Sequence, residues 1–450
     1  MFLLNLFLIN LWTQWSMYCR AEQLSLNPNH PRHSLYSSSI LPRDFHTELK
    51  VSSVVRHLSP DNFVHKESFK LSHRDDIQQL HRSNKDQLHT VVIACKQRNL
   101  DVLKQILFDV STPSSPQYGQ HLTYEQVTKL TANEESANHI LKYLQLHELA
   151  VISHTLNYEF ITVEASIGKL ERLLKAQFYE FSHVSNPTVR FNRCLDYSLP
   201  DVLHNHVSHV FNTVQFPAPL TLTLRGKKDD RLRSDGAVVE PLVDEVPGKV
   251  TPALLKRVYN IDSNDGSHIG SQAIFAAIEQ TFSPSDLTYF QNYFHLPLEP
   301  VAVDIGGHMA DNACQQKHGQ NCGEANLDVQ YMMATAQHVP TTFYYFDDEN
   351  NDFLLSWIIE VSNMSQPPLV FSISYGIDES FLPPSYTDAF DIAAIKLGVQ
   401  GVTIVASSGD DGAVSPQARQ NPLSCGYNPS FPASSPYVTA VGGTMVSRRG

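Results

Sequence analysis

The sequence has no C-x-x-C pair, no excess of basic residues and, beyond about its first twenty positions, no apolar run long enough to span a bilayer. The first absence argues against a zinc site. The second argues against nucleic acid as a partner, because phosphate binding needs a basic face and the formal net charge is −13. The third leaves no membrane contact beyond the N-terminal segment. That segment, MFLLNLFLINLWTQWSMYC, has the apolar core of a secretory signal, although Asn5 and Asn10 interrupt it and no Lys or Arg precedes it. A membrane anchor or a misassigned start is the alternative reading.

At 450 residues the chain divides into two or three domains, and 42% hydrophobic with 18% charged residues describes a globular protein. Its 21 histidines would move the charge from −13 toward +8 (−13 + 21) if all gained a proton, so an acidic compartment would transform the surface. Cys19 falls in or beside the signal, leaving Cys95, Cys194, Cys314, Cys322 and Cys425. Cys314 and Cys322 bracket a short polar loop and could bridge. The pairing of the other three is open. Asn363-Met364-Ser365 is a glycosylation sequon.

Residues 22–84 are polar, rich in His and Ser, and show little periodicity, so no structure is expected there. From 85 to 215 short apolar runs alternate with helical patterns. TVVIAC reads as a strand, Leu100, Leu103, Leu107 and Val110 share one helical face, and Ile140, Leu141 and Leu144 define another helix. This order predicts a compact α+β unit with helices on one side of a small antiparallel sheet. Residues 216–249 read as an exposed, protease-sensitive linker. A second unit, 250–450, opens at Thr251-Pro252, a good helix start. In it QAIFAAIEQ, LVFSISYG and GVTIVASSG are near-continuous apolar strands between helices, which indicates an α/β fold with a parallel sheet covered on both faces. Working residues in such sheets gather at the carboxyl ends of strands, where SSGDDG sits.

Glu324 and Asp328 lie four apart in GEANLDVQYMM, on a helical face that the neighbouring Leu and Met residues mark as packed. Acidic residues near a helix start also meet the positive end of the backbone dipole favourably, so the pair alone decides nothing. Its context adds more. SSPQYG, VTPALLKRVYN, EANLDVQYMM, and the run SISYG, SSGDDG and SFPASSPYVTAVGGT together resemble the sedolisin family of serine-carboxyl peptidases, in the right order from about residue 90 to 445. The resemblance implies an inhibitory propeptide of ferredoxin-like antiparallel fold (85–215), a linker cleaved on activation, and a subtilisin-like catalytic domain beginning at 250.

It also implies roles. Glu324 falls on the general base, Asp328 on the acid that supports it, and Asp410 on the oxyanion-hole acid. Ser374, Tyr375 and Gly376 fall on the strand beside the substrate. A carboxylate can serve as base only if its pKa suits the working pH, which for an ordinary Glu means an acidic milieu. Two acids one turn apart titrate as a coupled pair. An acid that donates to an oxyanion must be neutral, which again calls for low pH.

The family's nucleophile lies in an S-G-T-S-x-S motif, and none occurs in these 450 residues. The calcium site of the complete family domain is also absent from this sequence. Three readings follow. The first, and favoured, is the front part of a secreted or lysosomal acid peptidase zymogen, acting on peptides or proteins and held by its own propeptide. The others are a truncated, inactive product whose propeptide-like unit inhibits or binds a relative, and a secreted scaffold that keeps only the fold. Whether the complete enzyme releases tripeptides from free N-termini or cuts internally is left open, as are its side-chain preferences.

Overall fold

A computed structural model describes residues 62–71, 74–217, 249–261, 270–312, 314, 321–346, 353–412, 414 and 426–443. The N-terminal apolar segment, nearly all of the 216–249 linker and Cys425 lie outside these residues.

The first unit runs β1 (Phe63–Ser68), β2 (Ile77–Arg82), β3 (Leu88–Cys95), α1 (Leu100–Ser111), α2 (Tyr124–Thr131), α3 (Glu134–Leu146), β4 (Ala150–His154), β5 (Phe160–Ser166), α4 (Ile167–Leu174), β6 (Tyr179–His183), β7 (Arg190–Arg193), β8 (Asp196–Pro200), α5 (Asp201–His204) and β9 (Val207–Phe211). Its main sheet is antiparallel throughout, in the order β4-β5-β3-β9. With helices joining β3 to β4 and following β5, that is the split β-α-β arrangement of a ferredoxin-like fold. Period-two alternation gives the sheet two buried faces. Val91, Ile93, Ile161, Val163 and Val210 pack under α3 and α4, against Ile140, Leu144, Leu170 and Leu174. Ala94, Phe160 and Phe211 point the other way, into the core of the second unit.

β1 and β2 correct the expectation that 22–84 has no regular structure. Their sequences, FVHKES and IQQLHR, carry little pattern, β1 being mostly half-buried and β2 mostly exposed. They are held by partners far along the chain, β1 by β8 and β2 by β6, so the unit begins near residue 62 rather than 85. Local signals are clearer elsewhere. The Thr123 side chain accepts from Gln126 N, and the Gln126 side chain accepts from Thr123 N, a capping box that starts α2.

The second unit contains α6 (Pro252–Val258), β10 (Gln272–Ala276), α7 (Pro284–Tyr293), β11 (Val303–Ile305), α8 (Gly323–Thr335), β12 (Thr341–Tyr345), α9 (Phe353–Ser362), β13 (Val370–Ile373), β14 (Ile377–Asp378), α10 (Pro384–Val399), β15 (Thr403–Ser407), β16 (Ser430–Phe431) and β17 (Thr439–Val441). Six strands form one parallel sheet in the order β11-β12-β10-β13-β15-β17. On one face α7 and α8 bring Leu287, Ala325, Val329 and Met332 against Ile274, Ala276 and Phe343. On the other, α9 and α10 bring Leu354, Trp357, Ile358, Phe390 and Leu397 against Ala273, Phe275, Phe371 and Ile404. The sheet is therefore covered on both sides, as its apolar strands predict.

Helix α10 is also where the first unit docks. Leu103 and Val127 of α1 and α2 pack on Ile395 and Val399, and Leu122 N donates to Val399 O at 2.8 Å. At the other end, Ser385 N donates to Glu67 Oε1 at 3.3 Å. Between them Lys396, 2% exposed, forms an ion pair with Glu159 and donates to Gln97 Oε1 at 2.8 Å. No helix among the described residues is long and apolar enough to cross a membrane.

Candidate active site

Because β10, β13 and β15 are parallel, the segments that leave them emerge on one edge: Ala277–Gln280 after β10, Ser374–Gly376 after β13 and Ser408–Asp410 after β15. Helix α8 starts at that edge and presents Glu324 in its first turn and Asp328 one turn later. The helix has no side-chain cap of its own. Its N-cap residue, Cys322, is joined to Cys314 by a disulfide with a Cα–Cα distance of 5.2 Å, which anchors the loop that leads in. Asn326 fastens the same turn from outside, accepting from Ser283 N at 2.8 Å and donating to Asp286 Oδ2 at 3.0 Å.

Ser374 Oγ donates to Asp328 Oδ1 at 2.9 Å, and the same hydroxyl is hydrogen-bonded to Glu324. One serine thus joins the two carboxyl groups. Asp328 is 6% exposed, and burial, followed by the charge of Glu324, pushes its pKa well above the usual carboxylate range. Glu324 is half-buried, with its Oε1 enclosed and without a hydrogen-bond partner among the described residues. Burial pushes Glu324 up to about 7; the hydrogen bond from Ser374 opposes the rise and the charge of Asp410 adds to it. Asp410 itself is exposed. The structure therefore brings together Glu324, Asp328 and Asp410, which the sequence singled out.

Burial and the second carboxyl one turn away thus shift both groups toward their protonated forms.

Of the three residues expected beside a substrate, Ser374 turns its hydroxyl toward the carboxyl pair. Tyr375 is buried, its ring edge-on to Phe275 at 5.5 Å and its hydroxyl donating to Ala277 O at 3.2 Å. Gly376 lies against β16, the antiparallel partner of β14, and a Cβ built there would meet Ser430 Oγ at 2.2 Å. A side chain at 376 would have to displace that serine. Cys95 and Cys194 are buried and not disulfide-bonded.

No group of three or more His, Cys, Asp or Glu among the described residues could hold a metal ion. Sequence reasoning missed Asn326 and Gln280, whose only signal is a polar residue at the end of an apolar strand and another inside a helical turn.

Comparison with known proteins is decisive at this point. Residues 75–216 match the family model of the pro-kumamolisin activation domain. The chain is 33% identical over 377 residues to tripeptidyl-peptidase 1 of Macaca fascicularis, covering 79% of this chain and 61% of that one. Identity to tripeptidyl-peptidase 1 of Homo sapiens is 33% over 373 residues, with the same coverage. The likeness to these relatives, aligned over 377 residues, extends well beyond the activation domain. It spans about three fifths of the length of these relatives. A Pseudomonas sedolisin, a serine-carboxyl proteinase, aligns with 23% identity over 41% of this chain and 51% of that chain, at a TM-score of 0.32.

Proposed function

We propose that this chain belongs to the sedolisin family and is the front part of an acid serine-carboxyl peptidase zymogen of tripeptidyl-peptidase type. The observation that carries the reading is the buried Glu324–Asp328 pair, joined through Ser374 and set beside Asp410 at the carboxyl ends of parallel strands. In this reading Glu324 takes the proton of an attacking serine hydroxyl through its enclosed Oε1, and Asp328 holds the second proton of the pair and keeps Glu324 oriented. Asp410 donates to the oxyanion that develops on the substrate carbonyl. A carboxylic acid must carry its proton to do so, which calls for an acidic medium. Residues 62–217 act as the intramolecular inhibitor and folding partner.

The same reading puts the protein in the secretory pathway, with the lysosome or the extracellular space as destination. Asn363 becomes a glycosylation acceptor. It is half-exposed just after α9, and its Nδ2 donates to Ile359 O at 2.6 Å.

The test begins with the native transcript read past Gly450, where an S-G-T-S segment is expected in frame. The protein that carries it should hydrolyse peptides at acidic pH. Glu324→Gln should cut kcat by about 10²- to 10⁴-fold and Asp410→Asn by about 10²- to 10³-fold, whereas residues 1–450 alone should be inactive. Peptidase activity in purified 1–450, or an unimpaired Glu324→Gln enzyme, would sink the proposal. A stop codon directly after Gly450 would favour the second reading, a non-catalytic inhibitor or binding protein. The observation behind that reading is that the first unit has an apolar core of its own, built under α3 and α4.

A further inference from the structure

The segment between β10 and α7 has a backbone that its sequence does not favour. Ile278 and Glu279 are consecutive residues in the left-handed region, with φ of 55° and 57°. A β-branched side chain is a genuine outlier there, and such strain persists only where surrounding contacts hold it. The contacts are specific. Glu279 N donates to Tyr345 Oη at 3.0 Å, Asn321 Nδ2 donates to Glu279 Oε2 at 3.3 Å, and Thr281 N donates to Asn321 O at 2.7 Å. Gln280 N and Tyr375 Oη both donate to Ala277 O, each at 3.2 Å.

What this bend delivers is the side chain of Gln280. Its Oε1 accepts from Glu324 N at 3.2 Å and from Ala325 N at 3.5 Å, and so does the work of the side-chain cap that α8 lacks. We infer that Gln280 is a positioning residue for the carboxyl pair: by occupying the first free N–H groups of α8 it fixes the turn that carries Glu324 and keeps those donors from the glutamate's own carboxylate. The inference rests on the acid-peptidase reading of the site and deepens it. Helix N–H groups left free would be strong acceptor-seeking donors one residue from Glu324, and would favour its ionised form. Gln280, a neutral acceptor, takes them out of play.

The groups that face Glu324 are Asp328 from its own helix, Ser374 from the end of β13, Asp410 from the end of β15, and Gln280 from the bend. Tyr375, which shares Ala277 O with the Gln280 backbone, is close enough to both carboxyls to feel their charge. The bend and the carboxyl pair are thus one connected network.

The test is a carbon-13 titration of the carboxyl groups in the full 1–450 chain, with Glu324 assigned from the signal lost in Glu324→Gln. Gln280→Ala should lower the Glu324 midpoint by about one pH unit or more, and Gln280→Glu, which keeps an acceptor at the bend, should leave it high. A merely structural cap would lower stability without moving the midpoint. If wild-type Glu324 titrates near 7 and Gln280→Ala leaves it there, the role of Gln280 is overturned and the acid-peptidase reading stands. If wild-type Glu324 titrates as an ordinary carboxyl, the role of Gln280 is overturned, while the acid-peptidase reading, which an ordinary glutamate can serve in acid, stands. Should Gln280→Ala fail to fold, the Gln280→Glu titration decides alone, and a fall in its midpoint overturns the proposal.

Discussion

Truncating Lys396 to alanine is expected to cost about 3–5 kcal/mol of stability, among the largest effects of any single substitution in this chain. Lys396 Nζ is the cationic partner of Glu159 in a pair whose side chains are 3% and 5% exposed. Without it, the Glu159 carboxyl would be buried with no cationic partner, and the Asn157 amide donates to it at only 3.3 Å. Cys95 offers no relief, since burial, and after it the charge of Glu159, pushes its thiol up to about 12. The double variant Lys396→Met with Glu159→Leu should recover most of the loss, because the pair's attraction roughly offsets the cost of taking two ions out of water. Urea unfolding at neutral pH gives the comparison. A single-variant loss below about 1 kcal/mol would mean that solvent reaches the pair. The consequence reaches beyond stability, because Glu159 belongs to the first unit and Lys396 to the second. In Lys396→Ala the two units are expected to unfold in separate transitions, the first releasing its grip on α10.

That interface was illegible in the sequence, and the reason is physical. Periodicity reports which face of an element is buried and nothing about what buries it. The faces of β3 and β5 were legible as strands, yet Phe160 and Ala94 on their far side gave no hint that they enter the core of the second unit. Strands β1 and β2 were missed because edge strands held by distant partners need no apolar alternation. The parallel sheet was readable because its central strands, such as β10, are buried at every position and so are apolar at nearly every position. Glu324, Asp328 and Asp410 were legible as a motif, and the fold brings them to one edge. The role of Ser374 was not, since a serine after a strand looks alike whether it faces a substrate or a carboxyl. Nor was Gln280, whose effect depends on a backbone bend that no residue type in Ile278-Glu279 announces.

Acid should move the two units in opposite directions. His89 Nε2 donates to Asn212 O across 2.8 Å, and burial, followed by the charge of Arg193, lowers its pKa to about 4. Burial, followed by Lys66, lowers His209 to about 4 as well. His183, 1% exposed, is lowered by burial, with Asp76 opposing and Arg74 adding to the shift. For these rings the unfolded chain binds protons more readily than the folded one. Stability of the first unit is therefore present above pH 6.5 and is lost as the pH falls toward 4. At half-buried His89 and His209, solvent screening brings the loss to roughly 1–2 kcal/mol each. The carboxyl pair has the reverse sign. Glu324, raised from 4.5 to about 7, and Asp328, raised well above its usual range, bind protons more readily when folded. Their contribution is complete below about pH 4.5 and is lost as the pH rises through 7, at about 3 kcal/mol for Glu324.

Hydrogen exchange of the full chain at pH 7.5 and 4.5, corrected for intrinsic rates, should show protection falling in β3, β5 and β9 and rising in α8. His89→Gln with His209→Gln should flatten the first trend and leave the second, and Glu324→Gln should do the converse. Parallel loss in both units would overturn the argument. The opposed signs follow from the two sets of shifts, because the buried rings bind protons less readily and the carboxyl pair binds them more readily in the folded chain than in the unfolded one.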